Sequence, residues 1–585
     1  MIQLSVMPNI DIEGLKTEIE RVDSIPLIYG LLEQMGVQTN VDSVITPNGN
    51  WQGLSPGWVI TIWLLHILSE KDHRMEPVQS WTRSHMTLLQ RLTGQSIDEL
   101  DMTDDRLALC LRYLHERATW TAIEEGLGAR TIRIYGLPVE RLRLDATLGT
   151  VNHNPAKHTL FKVGKAKNSL YETQFKLMLA CLDSLGLPLV CDVEPGNRAD
   201  APLYIPSYQR AKTILSQEGL LVVGDSKMGA LSTLATIVAG HDHYLTPLTE
   251  QQEEAVQLAE LIAPWQGREK EAMRVYLPEN MPFDGTMPDP EVAIAHGFES
   301  ERERSAQVDG KQITWTERLV VVRSYSYAKT MQAGLHRRLD KAEVALRNLT
   351  PPRQRGKRQI KDEASLLSSI EQIEKKHRVQ GLFDLSYVRE VEERFVRGYQ
   401  GKPDRIEQKV RYQLTVARNA EAIAAAEFRA GWRIYATNRP QEELSFSDTV
   451  LAYREQIVAE NVFRRLHGKF LSITPLYVQR DDHAKGLIHL LTIAARVLAL
   501  GDYLAKRALA QEESELTGLY SGNAKRGTVR PTTERMIQAF ANINLLIFPV
   551  QPQPLCYLTE LSAVQERILT LLGLPHSLYT DLQSI

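Results

Sequence analysis

One stretch limits the possible folds more than any other. Between residues 139 and 248 the chain passes through three strand-like segments and then alternates helix with strand. Arg141-Leu142-Arg143-Leu144-Asp145-Ala146-Thr147 alternates polar and apolar residues, the pattern of a half-buried strand. Thr173–Leu182 and Pro188–Val193 are apolar runs of strand length, separated by the turn signal Ser184-Leu185-Gly186. Pro195-Gly196-Asn197 marks a further turn, and a helix is predicted from about Ala201 to Leu215. Gly219 to Asp225 has the pattern of a buried strand ending on an acid. Gly229–Ala239 follows as a helix, and His243–Leu248 as a short strand. Three strands able to form a meander, then helix, strand, helix, strand, specify a mixed α/β layer.

The rest of the chain must hold further cores. At 585 residues it is too long for one, and on the order of two to four domains are expected. With 43% hydrophobic and 24% charged residues the composition is that of a soluble globular protein. A net charge of -4 excludes a uniformly basic nucleic-acid coat but leaves room for local basic patches. Cys110, Cys181, Cys191 and Cys556 form no CxxC pair, which argues against a disulfide framework and a thiolate zinc site and fits a reducing cytoplasm. The first residues carry no basic segment followed by an apolar run, so no signal peptide is expected. The longest apolar stretches, Trp58–Leu68 and Gly486–Leu500, fall short of the roughly 20 residues that span a bilayer. The second also contains His489 and Arg496. Buried core helices, and no membrane partner, are the expectation.

Residues 1–135 read as an N-terminal all-helical accessory or DNA-binding domain. Pro26–Met35 is an amphipathic run stopped by Gly36, and Ser55-Pro56 opens a helix to about Glu70. Another helix is expected over Pro77–Leu92, and Asp101 to Asp105 cap one through Leu107, Leu109, Leu111 and Leu114. Short helices in series can include a helix-turn-helix, but they serve equally as packing modules. Residues 136–248 form the first part of the core. Residues 249–430 read as an insertion, with strand-like Met273–Leu277 and Ile313–Tyr325 followed by charged helices from about Tyr327 to Ala430. Its proline-broken basic run, containing Arg355, Lys357 and Arg358, is ordinarily a solvated loop; it can also hold a DNA backbone through counterion release. Residues 431–510 resume the core with Trp432–Thr437 as a strand and Ala484–Leu500 as an apolar helix. Residues 511–585 read as a C-terminal helical region, with a basic loop at Arg526–Pro531 and a last helix over Leu561–Leu572 ending at Gly573.

Candidate chemistry gathers on the stretch from Tyr453 to His467, which lacks Gly and Pro and reads as one helix. Leu451, Val458, Val462 and Leu466 share one stripe, and Tyr453, Gln456, Glu460, Arg464 and His467 share the opposite one. Such a polar face is ordinarily solvated; the alternative is that Glu460 faces a metal ion. Taken singly, Asp145 and Asp225 are ordinary turn or cap residues. Asp145 interrupts an apolar strand, however, and Asp225 ends the next one, and a buried aspartate needs compensation. Three converging carboxylates would form a hard oxygen site suited to two Mg²⁺ or Mn²⁺ ions, the arrangement that cleaves phosphodiesters.

These residues resemble bacterial insertion-sequence transposases of the DDE type, in particular the group with a Y-x2-R-x3-E-x6-K signature around its third acid. Tyr453 and Glu460 stand at the signature offsets, while Gln456 and His467 replace its arginine and lysine; Arg454 and Arg464 lie nearby as substitute cations. Gly224-Asp225-Ser226-Lys227-Met228-Gly229 resembles the second-acid motif, and Pro195-Gly196-Asn197-Arg198-Ala199-Asp200 the loop after the third strand. Arg530-Pro531-Thr532-Thr533 also has the family's look, and the N-terminal helices resemble an accessory domain of one branch. The resemblance implies a ribonuclease-H-like catalytic core interrupted by a large insertion. That accounts for the 235 positions from Asp225 to Glu460, against 80 from Asp145 to Asp225. It further implies that Asp145, Asp225 and Glu460 hold two Mg²⁺ or Mn²⁺ ions. The enzyme would hydrolyse the ends of an insertion sequence and transfer the freed 3′-hydroxyl, either into the other strand as a hairpin or into target DNA. Tyr453 and the cations near it would grip phosphates, and Trp432 or Trp315 would stack an extruded base, although a strand tryptophan is more often core. The implied partners are double-stranded DNA, as terminal inverted repeats and target, and a second copy of the chain in the DNA complex. The implied setting is a bacterial cytoplasm, with the protein nucleoid-associated when bound. Two other functions are open: a decayed copy that only binds DNA, consistent with Gln456 and His467, and a ribonuclease-H-like nuclease that cuts without joining.

Overall fold

A computed structural model describes residues 17–166, 170–183, 185–281, 288–352, 359–398, 403–455, 457–520, 522–548 and 554–583. The chain divides into two compact units: Met1–Thr246, Ser305–Trp315 and Tyr453–Ile585 form the first, and Pro247–Arg304 with Thr316–Ala452 the second.

The first unit opens with strand β1 (Glu18–Arg21) and a series of helices: α1 (Ile25–Met35), α2 (Val37–Val44), α3 (Pro56–Glu70), α4 (Glu76–Ser84), α5 (Met86–Thr93), α6 (Asp104–His115) and α7 (Arg117–Tyr135). The local signals act as expected at several ends. Gly36 takes the left-handed conformation that stops α1, with φ of 70°. Ser55 caps α3 by accepting from the Trp58 amide, ahead of Pro56 in the first turn. The single helix expected over Pro77–Leu92 is instead two. His85 interrupts it with φ of -127°, and its Nδ1 donates to the Trp81 carbonyl at 2.8 Å. A side chain competing for a helix carbonyl favours such a break.

The core sheet follows: β2 (Arg141–Thr150), β3 (Lys162–Lys165), β4 (Tyr171–Leu182), β5 (Leu187–Pro195), helix α8 (Ala201–Leu215), β6 (Leu221–Gly224), α9 (Leu231–Ala239) and β7 (His243–Pro247). Its order is β5-β4-β2-β6-β7, with β3 on the same edge of β4 as β5. β2 runs antiparallel to β4 and parallel to β6, and β6 parallel to β7.

The second unit begins with α10 (Glu250–Ala255) and α11 (Leu258–Ile262). Its strands β8 (Met273–Val275), β9 (Ala295–Val308) and β10 (Lys311–Ser324) lead to helices α12 (Tyr325–Arg347) and α13 (Glu363–His377). A long hairpin, β11 (Phe383–Val396) with β12 (Arg405–Arg418), comes next, then α14 (Ala420–Arg429), β13 (Trp432–Thr437) and α15 (Phe446–Arg454). The hairpin corrects the expectation of helices throughout Tyr327–Ala430. Phe383, Tyr412, Leu414 and Val416 bury one face of it against Leu339 and Leu346 of α12 and Leu366 and Ile370 of α13. The charges that suggested a helix lie on its exposed side. β13 pairs antiparallel with β10, and Val320, Val322, Phe446 and Val450 form a second small core.

The chain then returns to the first unit with α16 (Ile457–His467), α17 (Asp481–Gln511), α18 (Thr533–Gln538), β14 (Asn544–Phe548), β15 (Leu555–Leu558), α19 (Ala563–Leu572) and α20 (Ser577–Thr580). α17 is long and apolar enough to cross a membrane, yet 89% of its most apolar window is buried inside the fold. It packs on α6, α3 and β5, and its His489 stacks on Trp120 of α7 with ring centroids 4.2 Å apart. β1, β14 and β15 form an antiparallel sheet that joins the two ends of the unit. This corrects the all-helical expectation for residues 1–135 and adds two strands to the region 511–585 expected as helical. Strands of four or five residues carry too little alternation to be read alone, and here the partner lies more than 500 positions away.

Candidate active site

The register of β2 and β6 builds the site. Leu144 and Gly224 are the last pair of the parallel ladder, so Asp145 and Asp225 each follow it by one residue, Asp225 just past the end of β6, and the charges of both act on Tyr204 and Lys227. Both are half-buried. Asp145 Oδ1 accepts from the Ala146 amide at 2.8 Å. Asp225 begins a tight turn: its Oδ1 accepts from the Lys227 amide at 3.0 Å, and its carbonyl accepts from the Met228 amide at 3.0 Å and Thr246 Oγ1 at 2.8 Å. A Cβ on Gly224 would lie 2.5 Å from Met228 Sδ, so any other residue there would push the Met228 side chain aside.

Helix α8 holds the turn from behind. Tyr204, fully buried, donates its hydroxyl to Asp225 Oδ1 at 2.6 Å. Burial raises the Tyr204 pKa, and the charge of Asp225, the hydrogen bond to it, and the charges of Asp145 and Asp200 raise it further. The phenol thus stays a donor, within the field of both aspartates. Asp200 pairs with Lys176 of β4 and with Lys227. Burial raises the Asp200 pKa, but the two ammonium groups outweigh it and leave the carboxyl below its usual value. Burial lowers the Lys227 pKa, and Asp200, then Asp225 and Asp145, more than offset this and raise it. Asp200 and Lys227 lie within the two quoted motifs, with no role assigned to them there, and Tyr204 and Lys176 lie outside every motif. The spacing of Asp200 and Tyr204, one helical turn apart, was the available signal.

The third acid is placed differently. The helix expected across Tyr453–His467 is interrupted, with Tyr453 and Arg454 ending α15 and Glu460 in the first turn of α16. No residue there disfavours helix. Glu455, in the turn after α15, pairs with Arg141 at the start of β2. α16 packs against β2 and α17 through buried Val462 and Leu466, while Glu460 and Arg464 are exposed. Tyr453 and His467 are half-buried and Arg454 exposed. Among the described residues, no three His, Cys, Asp or Glu side chains gather closely enough to hold a metal ion. Glu460 is thus not gathered with Asp145 and Asp225 among the described residues. Hard oxygen donors do suit Mg²⁺ or Mn²⁺.

The remaining candidates divide. Gln456, Arg355, Lys357 and Arg358 lie outside the described residues. Trp432 is 4% exposed in the second unit, packed by His296, Phe298 and Phe428. Trp315 is buried and donates to the Tyr244 hydroxyl at 2.8 Å. Both occupy packing positions, which a base would reach only if neighbouring rings moved.

A mixed α/β protein with a helical N-terminal region and two aspartates one residue past the last pair of adjacent parallel strands is the class that fold and site define. Residues 140–497 match the family model described as "Transposase DDE domain", and the chain belongs to that family, whose members cleave and transfer DNA strands. Residues 17–125 match a second model, described as a domain of unknown function (DUF4277). Among curated proteins none matches significantly. Among solved structures the chain is similar to the piggyBac transposase in a synaptic complex with hairpin DNA. The identity is 8%, over 86% of this chain and 79% of that one, with a TM-score of 0.34, a likeness that carries no argument.

Proposed function

We propose that this transposase cuts and joins DNA at the terminal inverted repeats of an insertion sequence, with Asp145, Asp225 and Glu460 holding two Mg²⁺ or Mn²⁺ ions in a ribonuclease-H-like core. The observation that carries this is the β2–β6 ladder, whose last pair, Leu144 with Gly224, stands one residue before each aspartate. The strand order β5-β4-β2-β6-β7 supports the core assignment, because it gives an antiparallel meander extended by two parallel strands with helices between. When bound, the ions activate water and stabilise the leaving oxygen.

The chain's own groups have separate tasks. Asp145 and Asp225 supply oxygen donors, and Tyr204 holds one oxygen of Asp225 so that the other is left to a cation. Glu460, exposed in the first turn of a helix seated on β2, would be the third residue to hold the ions. Tyr453, Arg454, Gln456, Arg464 and His467 grip phosphates beside the cut, and Arg355, Lys357 and Arg358 hold backbone further away. A second copy of the chain joins in the DNA complex, since two ends are cut in concert.

The test is cleavage of a labelled duplex carrying the inverted repeats that flank the coding region, with Mn²⁺. Wild type nicks and produces strand-transfer products. Asp145→Asn and Glu460→Gln bind equally but lose about a hundredfold or more in rate, the scale of removing one partner of a charged transition state. Binding by wild type without nicking would leave only the DNA-binding role. Nicking without joined products would leave a nuclease.

A further inference from the structure

The start of α8 grips the turn after β6 at two points. Tyr204 donates to Asp225, and Asp200, immediately before the helix, pairs with Lys227. Asp200 also pairs with Lys176, whose Nζ donates in addition to the Arg198 carbonyl. The two lysines differ in one respect: the Lys176 side chain is 9% exposed and that of Lys227 58%. One carboxylate needs one counter-ion. Lys176 cannot leave without stranding a buried ammonium, whereas an exposed ion pair such as Lys227–Asp200 is weak and readily exchanged. The Lys227 amide is fixed on Asp225 at 3.0 Å, so its four-carbon side chain is rooted beside the aspartate pair.

We propose that Lys227 is a phosphate-binding residue of the cleavage site. When DNA binds, its ammonium exchanges Asp200 for a phosphate oxygen beside the cut, and Lys176 keeps Asp200 neutralised. This rests on Asp145 and Asp225 being the cleavage site. In the free protein Asp200 occupies Lys227, which keeps an unpaired cation from closing onto the two aspartates. In the complex the lysine adds one phosphate contact, and its displacement from Asp200 leaves no buried charge without a partner.

The experiment measures affinity for a labelled duplex ending in the flanking inverted repeat across a KCl series, with melting temperature and Mn²⁺ cleavage measured alongside. Lys227→Gln is expected to weaken binding about tenfold at low salt and to reduce the slope of log affinity against log salt by about one, the signature of one lost phosphate contact. Lys227→Arg restores both, and the melting temperature stays at the wild-type value. Asp145→Asn abolishes cleavage while keeping the wild-type salt slope. A wild-type slope in Lys227→Gln overturns the proposal, whether or not cleavage falls; a lower melting temperature with that slope would mean that Lys227 only braces the turn. If wild type fails to cut at all, the cleavage-site reading fails, and the slope still reports whether Lys227 meets a phosphate.

Discussion

Tyr204 shows how much of the site depends on single polar contacts. Its hydroxyl is the described side-chain donor to Asp225, at 2.6 Å from a fully buried ring. Tyr204→Phe is expected to slow cleavage about tenfold and to cost about 1.5–3 kcal/mol of stability, the range for a hydrogen bond to a charged group. Retained cleavage with lowered melting temperature would show that the phenol does not orient the acid. Asp183 is the structural counterpart. It is 3% exposed and accepts both Arg143 Nε and Nη2 at 2.9 Å and Arg141 Nε at 2.8 Å. Asp183→Asn removes the counter-charge of the buried Arg143 guanidinium near the start of β2, and denaturant unfolding should show a loss of about 3–5 kcal/mol. Both aspartates of the proposed pair were legible in the sequence because an acid inside an apolar strand needs a reason. Tyr204 and Lys227 were not, because their meaning lies in a contact between α8 and a turn some 20 residues on.

The helices α17 and α6 meet closely at a glycine. A Cβ on Gly486 would lie 2.1 Å from the Leu111 carbonyl oxygen, a backbone atom that cannot step aside. Gly486→Ala should therefore destabilise the first unit by about 1–3 kcal/mol or more, read as a lower melting temperature, although alanine favours helix elsewhere. α7 and β5 meet through a charged contact instead. Glu124 accepts from the Cys191 amide at 2.6 Å and pairs with Arg210. Burial pushes its carboxyl from 4.5 up to about 7, against the pull of Arg210 and Arg496. The folded protein therefore holds this proton more tightly than the unfolded chain. The resulting stabilisation is complete below about pH 4.5 and is lost as pH rises to about 7. Glu124→Gln should flatten the melting temperature across that window; an unchanged profile would assign the slope to other groups.

For the whole molecule, the two units have separate cores, and the chain enters the second and returns from it before supplying α16 and α17. Glu460 thus reaches the first unit only after the long excursion. An acid on a helix of an assembled sheet suits a site completed by DNA and ions. Light scattering should show the free 66.2 kDa chain shifting, on adding duplex with the inverted repeat, to a particle with two chains. One chain per duplex end, with cleavage intact, would remove the need for a second copy.

The sequence by itself determined the mixed α/β core, the helical N-terminal region and the two strand-borne acids. Strand alternation, capping residues and acids in apolar runs are local signals, readable within a window of about ten residues. Tertiary structure alone decided the β2–β6 register that precedes Asp145 and Asp225, the β11–β12 hairpin and the β1–β14–β15 sheet. Each of these is fixed by a ladder register or a buried face between residues far apart in the chain, and no local pattern encodes such a partner.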